Sequence, residues 1–313
     1  MIGRVLAATA AVGAGCVAYG ALIERSAFVT RRFTLPVLPA GADPVRVLHL
    51  SDLHLMPRDR KKIAWVQALA ELKPDLVVNT GDNHSHRDAW PHVLEAYGRL
   101  LDLPGVFVWG SNDYLSPVLK NPLGYFAGPS RPPQPEDHPE RELPWRTLGA
   151  EFTRAGWTDL THRREALDVA GVKLAFRGTD DGHLQRDRYE LIAGPPDPDA
   201  AINIAVTHAP YLRLLDSFAA DRMDLILAGH THGGQVNLPG IGALVTNCDI
   251  DRKRVKGVST HTMGDHTSAM HVSAGLGTSP FAPYRFACRP EASLLTLTAR
   301  GGRNGFGARP TWR

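Results

Sequence analysis

Residue types that bind divalent metals are concentrated in five short segments of this chain. Each segment follows an apolar run, so its side chains can meet at one edge of a sheet. Carboxylates, a carboxamide and imidazoles form a mixed donor set, which suits Mn²⁺, Fe or Zn²⁺ better than Mg²⁺ or Ca²⁺. The five segments are Asp52 with His54, Gly81-Asp82, Asn112-Asp113, His208, and Gly229-His230-Thr231-His232.

These donors are numerous enough for two metal ions. Asp82 can bridge the ions because a carboxylate has two oxygens. Two cations about 3.5 to 4 Å apart can hold a hydroxide between them and clamp both oxygens of a phosphoryl displacement. The pattern therefore predicts phosphoester hydrolysis. One ion would take Asp52, His54, Asp82 and His232, and the other would share Asp82 and take Asn112, His208 and His230.

The apolar runs before these segments predict the strands that position them. The runs are short and mostly β-branched, as is typical of strands buried on both faces. They cover residues 45–50, 75–79, 106–109, 202–206 and 224–227, with further strands expected at 172–176 and 293–298. Helical spacing of apolar residues predicts helices over 61–72 and 89–101. This order predicts a layered α/β fold with right-handed crossovers.

Composition narrows the range of partners. The 313 residues carry a net charge of +3 from 35 basic and 32 acidic side chains. Such a mixed surface gives no reason to expect a nucleic-acid partner. Three scattered cysteines are too few for a disulfide framework or a Cys-rich zinc site. Composition does not predict the oligomeric state.

The N-terminus differs from the rest of the chain. Residues 5–23 carry no charge, and about 19 residues of helix rise roughly 28 Å, close to the thickness of a bilayer core. We therefore expect residues 1–24 to form a hydrophobic helix that anchors the chain in the cell membrane by a single pass. A cleaved export signal and a buried helix are the alternatives. Arginines on both sides of the segment leave the membrane sidedness open.

Prolines and glycines indicate the other boundaries. Three prolines in residues 33–44 predict an extended linker over 25–44, so the folded domain is expected at 45–298. Prolines recur throughout 116–145 and exclude a regular helix or central strand there. That loop is either a surface insertion or a lid over the site. Residues 299–313 are expected to be a flexible tail.

Four motifs carry a resemblance to the calcineurin-like metallophosphoesterases, over roughly residues 45 to 298. They are Ser51-Asp52-Leu53-His54, Thr80-Gly81-Asp82-Asn83, His208-Ala209-Pro210 and Gly229-His230-Thr231-His232. Gly233-Gly234-Gln235 and the segment 275–291 are similar to the bacterial branch of the YkuE and YaeI phosphodiesterases. The resemblance implies a four-layer fold, with a central β-sandwich of mixed sheets flanked by helices. It also implies a dinuclear centre with the ligand division given above.

The third motif departs from the family. Where the family has Gly-Asn-His-Asp or Gly-Asn-His-Glu, this chain has Gly110-Ser111-Asn112-Asp113. We align Asn112 with the metal ligand, which puts Asp113 at the position of the catalytic histidine. Asp82, Asn112 and Asp113 are therefore the expected catalytic residues. His84 or His86 could protonate the leaving group instead, although a loop histidine is usually solvated.

We expect a metal-dependent phosphoesterase that acts on phosphomonoesters, phosphodiesters or pyrophosphates, and among these activities we favour a phosphodiesterase. Attack by a metal-bridging hydroxide would need no covalent phosphoenzyme. One alternative is a catalytically silent metal-binding membrane module. Another is a pyrophosphatase for lipid-linked substrates, which the membrane anchor makes attractive and which an apolar groove beside the metals would support. The groove would be lined by Tyr114, Leu115, Phe281 and Tyr284, and Arg285 and Arg289 would either neutralise phosphate charge or form structural ion pairs.

Overall fold

Two six-stranded sheets face each other in the computed structural model, which describes residues 2–119 and 135–301. In spatial order, the first sheet contains β1 (Val29–Leu38), β14 (Glu291–Ala299), β2 (Val45–Leu50), β3 (Leu76–Asn79), β4 (Gly105–Phe107) and β5 (Thr158–Asp159). The second contains β12 (Gly257–Met263), β13 (His266–Val272), β9 (Leu225–Ala228), β8 (Ile202–Val206), β7 (Val172–Gly178) and β6 (Arg163–Val169). A small hairpin pairs β10 (Asn237–Leu238) with β11 (Gly242–Ala243).

Both sheets are mixed, as predicted. Strands β2 to β5 run parallel, whereas β14 runs antiparallel to β2. In the second sheet β7, β8, β9 and β13 are parallel, and antiparallel strands flank them at both edges. Parallel strands place all their carboxyl ends at the same edge of a sheet. The polar segments that follow β2, β3, β8 and β9 therefore meet at one end of the molecule.

Helices cover the outer faces of both sheets. On the first sheet lie α2 (Arg60–Ala68), α3 (Trp90–Tyr97) and α5 (Trp145–Arg154), and on the second lies α6 (Leu212–Ala220). Alternate residues of each strand face the space between the sheets, where Val47 and Val78 pack with Ile204 and Leu227. The result is four layers, helix, sheet, sheet and helix, as the resemblance implied.

The segment 25–44 differs from the predicted linker. Strand β1 pairs in parallel with β14, and its Leu35 and Val37 are buried in the core between the sheets. Pro36 lies where the register shifts, and the strand has a neighbour on one side only. An edge strand tolerates a proline because the missing N–H faces away from the sheet. The prediction of a linker from the proline content is therefore wrong for β1, and the core begins before residue 45.

The N-terminal segment forms helix α1 (Ile2–Leu22), which ends in a short 3-10 turn at Glu24–Ser26. Among the described residues, no helix combines the length and apolar character needed to cross a membrane. The predicted transmembrane span is therefore not supported.

The predicted proline-rich loop and tail lie partly outside the described residues. Between residues 135 and 145 the loop forms two short 3-10 turns, and Leu115 makes an isolated bridge with Glu142. Residues 120–134 and 302–313 lie outside the description, and with them the lid and tail predictions.

Candidate metal centre

The predicted ligands lie where the parallel strands end. Asp52 and His54 follow β2, and Asp82 follows β3, while His208 follows β8 and His230 and His232 follow β9. The two loops of the first sheet are tied together, because the N–H groups of Asp52 and His54 donate to the carbonyls of Gly81 and Asp82 at 2.9 Å each. Asn112 joins them from α4 (Ser111–Tyr114), the short helix after β4.

Five of the seven ligands have left-handed backbone. This conformation is uncommon for residues other than glycine, and it persists only where the surrounding structure enforces it. Two glycines make room for the ligand side chains: a Cβ on Gly110 would collide with Asp82, and a Cβ on Gly229 would collide with Ser51 and Asp52. The left-handed ligands are Asp52 (φ 51°), His54 (φ 43°), Asp82 (φ 57°), His230 (φ 68°) and His232 (φ 51°).

We call Asp52, His54 and His232 the first half of the site. Their donor atoms, with those of Asp82, all lie within 4.8 Å of one another. The Nε2 atoms of His54 and His232 are 3.1 Å apart. His54 Nε2 lies 3.3 Å from Asp82 Oδ2, and His232 Nε2 lies 3.3 Å from Asp52 Oδ1. Two imidazole nitrogens that face each other between two carboxylates suit a cation placed between them.

We call Asn112, His208 and His230 the second half. His208 Nε2 lies 3.5 Å from Asp82 Oδ2 and 3.3 Å from His230 Nδ1. The backbone and side-chain nitrogens of Asn112 donate to the two Asp82 oxygens at 2.7 and 2.8 Å. Asp82 therefore borders both halves, which is the position that a bridging ligand requires.

The outer nitrogens of three rings have polar partners away from the metal-facing side, and two of these partners are backbone carbonyls. His208 Nδ1 lies 2.6 Å from the Thr80 carbonyl and His230 Nε2 lies 3.2 Å from the Asn247 carbonyl. His54 Nδ1 lies 3.0 Å from the Ser85 hydroxyl. A carbonyl only accepts, so the nitrogen beside it carries the proton and the other nitrogen offers its lone pair inward. The donor set thus fits divalent metal ions.

The charges of the buried groups agree with this fit. Burial lowers the pKa of His54 to about 3, so its imidazole is neutral and able to bind a cation. Burial opposes the ionised form of Asp82, but His208 and His54 hold the pKa of that carboxyl well below its usual range. Burial opposes protonation of His208, yet Asp82 raises its pKa well above the usual value. A bound metal would take the place of that proton beside Asp82.

Asp113 lies behind the ligand loops rather than at the reacting face. Its carboxylate is completely buried and accepts hydrogen bonds from the backbone N–H groups of Asp82, Asn83 and Gly110 at 2.7 to 2.9 Å. Burial and the nearby Asp82 raise its pKa to about 7. Both oxygens are occupied by loop donors, so this geometry favours a positioning role over the expected proton donor.

Of the two alternative histidines, His84 differs from expectation and His86 does not. His84 is fully buried, with Nδ1 3.6 Å from Asp113 Oδ1, so the expectation of a solvated loop histidine is wrong for this residue. His86 is partly exposed beside Asp88.

Sequence reasoning missed His183, whose ring lies 4.6 Å from that of His230 and whose Nδ1 lies 2.9 Å from the Tyr211 hydroxyl. It stands outside the motifs, in the loop after β7, and only its place after a strand could have indicated it.

The predicted groove and phosphate-binding arginines are only partly present. Tyr114 and Leu115 are buried in the core and cannot line an open groove, whereas Phe281 is 50% exposed and Tyr284 is 37% exposed. Arg285 is fully buried among backbone carbonyls, and Arg289 is exposed and donates to the Ala27 carbonyl at 2.7 Å. These contacts are to backbone carbonyls, so they are neither phosphate-binding contacts nor the structural ion pairs that were the alternative.

Comparisons with known proteins agree with the site. A family model described as calcineurin-like phosphoesterase matches residues 45–234. The Bacillus subtilis protein YkuE, named an uncharacterised metallophosphoesterase, is 27% identical over 307 residues, covering 93% of each chain. The Escherichia coli phosphodiesterase YaeI is 26% identical over 306 residues, covering 94% of this chain and 98% of its own. The B. subtilis protein YpbG is 26% identical over 82% of each chain.

Proposed function

The chain belongs to the calcineurin-like phosphoesterase family, and on that premise we propose that it is a phosphodiesterase that works with two divalent metal ions. Its general class, a hydrolase of phosphoester bonds, follows from the family model and from the relatives. The observation that carries the proposal is the position of Asp82. This carboxylate contacts His54 from one half of the site and His208 and Asn112 from the other.

Metal ions bound in the two halves would neutralise phosphate charge and lower the pKa of water. The residues of the chain hold the geometry for this chemistry. Ser51 donates to Asp52 Oδ2 at 2.5 Å, and the N–H of His230 donates to the same oxygen at 3.0 Å, so the Asp52 carboxylate is held in one orientation. Ligands fixed before substrate arrives need no rearrangement during the reaction.

The diester preference rests on one relative. YaeI carries the name phosphodiesterase and matches nearly the whole of this chain, although at 26% identity. In the proposed reaction, water adds to phosphorus, one P–O ester bond breaks, and the products are a phosphomonoester and an alcohol. No side chain forms a bond to phosphorus in this scheme.

Hydrolysis of bis-p-nitrophenyl phosphate by the full chain with Mn²⁺ tests the proposal. We expect turnover that is lost with a chelator and restored by Mn²⁺. Asp82→Asn should lower kcat/KM by more than about 100-fold, because it removes a buried charge shared by both halves. Asp43→Asn, at an exposed aspartate in the loop between β1 and β2, is the matched control. Unchanged turnover in Asp82→Asn contradicts the proposal.

A lipid-linked substrate is a second candidate, favoured by the exposed aromatic rings of Phe281 and Tyr284. Their loop is joined to the segment after His232, because Gln235 Nε2 donates to the Ala282 carbonyl at 3.1 Å. An apolar substrate chain could pack on these rings. Phe281→Ser should then raise KM for a long-chain alkyl diester and leave KM for bis-p-nitrophenyl phosphate unchanged. Equal KM values in wild type and variant contradict this candidate. Membrane attachment or export of the chain stays a prediction.

A further inference from the structure

Arg285 is a buried cation that connects the loops of the first half of the site. Its guanidinium donates to the carbonyls of Ala274 and Gly277 at 2.7 Å each. It also reaches the carbonyl of His232, a predicted ligand, at 3.4 Å. The side chain is fully buried, so these N–H groups are not available to a phosphate in solvent. Its contacts join the loop after β13 to the backbone of His232.

The loop after β13 in turn holds the segment that carries the other two ligands of this half. The N–H of Gly277 donates to the Asp52 carbonyl at 2.6 Å, and the N–H of Leu276 donates to the Ser51 carbonyl at 3.1 Å. Gly275 packs so closely that a Cβ there would lie 2.6 Å from the Cβ of Asp52. A shift of this loop therefore shifts Asp52 and, with it, the distance from Asp52 to His232.

The N-terminal segment supports Arg285 from outside. The N–H of Arg285 donates to the Gly20 carbonyl at 3.2 Å, and Gly20 has no room for a Cβ against the Arg285 backbone. Glu24 is buried, and its carboxylate accepts hydrogen bonds from the N–H groups of Ala287 and Cys288 at 3.0 and 2.6 Å. The turn that carries Arg285 is thus fixed by residues that lie before the family-matched region.

From these contacts we infer that Arg285 is a positioning residue for the metal centre, and that Glu24 holds Arg285 in place. The guanidinium sets the separation between His232 and Asp52 through backbone carbonyls, although Arg285 is not itself one of the predicted ligands. This inference rests on the proposed function only in taking the first half of the site to bind a metal ion.

Mn²⁺ affinity of the full chain, measured by calorimetry without substrate, tests the inference. Arg285→Met should weaken Mn²⁺ binding by about 10- to 100-fold, as expected for groups that orient metal ligands. Arg289→Met is the matched control, because Arg289 lies in the same loop but donates to Ala27 and Phe28, away from the ligands. Glu24→Gln should give an intermediate loss, since its new NH₂ group would face a backbone N–H.

Thermal unfolding in the presence of a chelator separates positioning from simple structural support. Loss of buried hydrogen bonds should lower the metal-free unfolding temperature of the Arg285 variant, and a positioning role predicts that its Mn²⁺ affinity is reduced even at temperatures where the metal-free variant is fully folded. If Arg285→Met does not fold, Arg285→Lys replaces it and should lose affinity too, because an ammonium cannot reproduce the planar fork. Wild-type Mn²⁺ affinity in the folded Arg285 variant, or an equal loss in Arg289→Met, overturns the inference.

These binding measurements are independent of hydrolysis. A wild-type chain that binds Mn²⁺ but hydrolyses no phosphoester would contradict the proposed function and leave the role of Arg285 to be decided by affinity.

Discussion

The two halves of the metal centre are supported in different ways. In the second half the rings of His208 and His230 are oriented by their own hydrogen bonds to nearby carbonyls. In the first half, charged side chains outside the site hold the ligand backbone. Lys62 donates to the Leu53 carbonyl at 2.7 Å, between Asp52 and His54, and Arg285 reaches the His232 carbonyl. The second half therefore depends on hydrogen bonds made by its own rings, and the first depends in addition on charged side chains that hold its ligand backbone.

This difference indicates where the site is vulnerable. A local hydrogen bond survives small movements of the rest of the fold, because donor and acceptor lie beside the ligand. Arg285 instead transmits the position of the N-terminal segment to the ligands. Changes near residues 20–24 should thus affect the first half before the second.

Removal of a single ligand, from either half, should lower metal content and turnover more than any other change considered. We expect His54→Ala and His230→Ala each to keep one bound metal per chain and to lower kcat/KM by more than about 100-fold, which exceeds the effect of groups that only support a ligand. Metal analysis by mass spectrometry and turnover of bis-p-nitrophenyl phosphate measure the two quantities. His92→Gln, at a partly exposed histidine of α3, is the control. If either variant loses both ions, the halves do not bind independently.

Asp113→Asn should lower kcat/KM less than the removal of a ligand does, because Asp113 only holds the backbone of Asp82. One of its oxygens would become an NH₂ group facing a backbone N–H, so we expect kcat/KM to fall by about 10- to 100-fold. The loss should be equal for aryl and alkyl diesters, since leaving-group protonation is not involved. A loss confined to alkyl diesters, whose leaving groups need a proton, would restore Asp113 as the acid.

The smallest predicted effect is on the stability of the fold, and it comes from a buried pair of histidines beneath the second half. His49 Nδ1 lies 2.9 Å from His271 Nδ1, and His49 Nε2 lies 3.0 Å from the hydroxyl of Thr80, whose carbonyl holds His208. Burial lowers the pKa of His49 from 6.5 to about 3, and burial also lowers the pKa of His271, with His49 adding to the shift. Both rings are therefore neutral in the folded protein.

Neutral histidines stabilise the fold at pH values above their unfolded pKa, and that contribution is lost as the pH falls from about 6.5 towards 3. Each histidine contributes a slope of up to about 1.4 kcal/mol per pH unit to the free energy of unfolding. His271→Leu should reduce the slope between pH 6 and 4 by about that amount. Denaturant titrations at several pH values measure the slope, and an unchanged slope would show that the pair does not titrate on unfolding.

The sequence predicted the ligand-bearing strands well, for physical reasons. Strands such as Ile202–Val206 are buried on both faces, so their apolar runs are nearly continuous. Helices over 61–72 and 89–101 are also confirmed, each as an α-helix followed by a 3-10 turn. The clustering of the predicted ligands could be foreseen because polar residues directly after such strands must share a sheet edge.

Features that depend on tertiary contacts could not be found in this way. Strand β1 contains Pro36 and is stable only because it lies at an edge beside β14. Arg285 and Glu24 are polar residues whose side chains bond to partners as far as 264 residues away in sequence. No local pattern distinguishes them from surface charges. Asp113 was assigned from its motif, but its role depends on where its oxygens point.

Crystals of the full chain grown with Mn²⁺ would test the two-metal site by anomalous diffraction at the manganese edge. We expect two peaks about 3.5 to 4 Å apart, one among Asp52, His54, Asp82 and His232, and the other among Asp82, Asn112, His208 and His230. A single peak, or manganese bound away from Asp82, would contradict it.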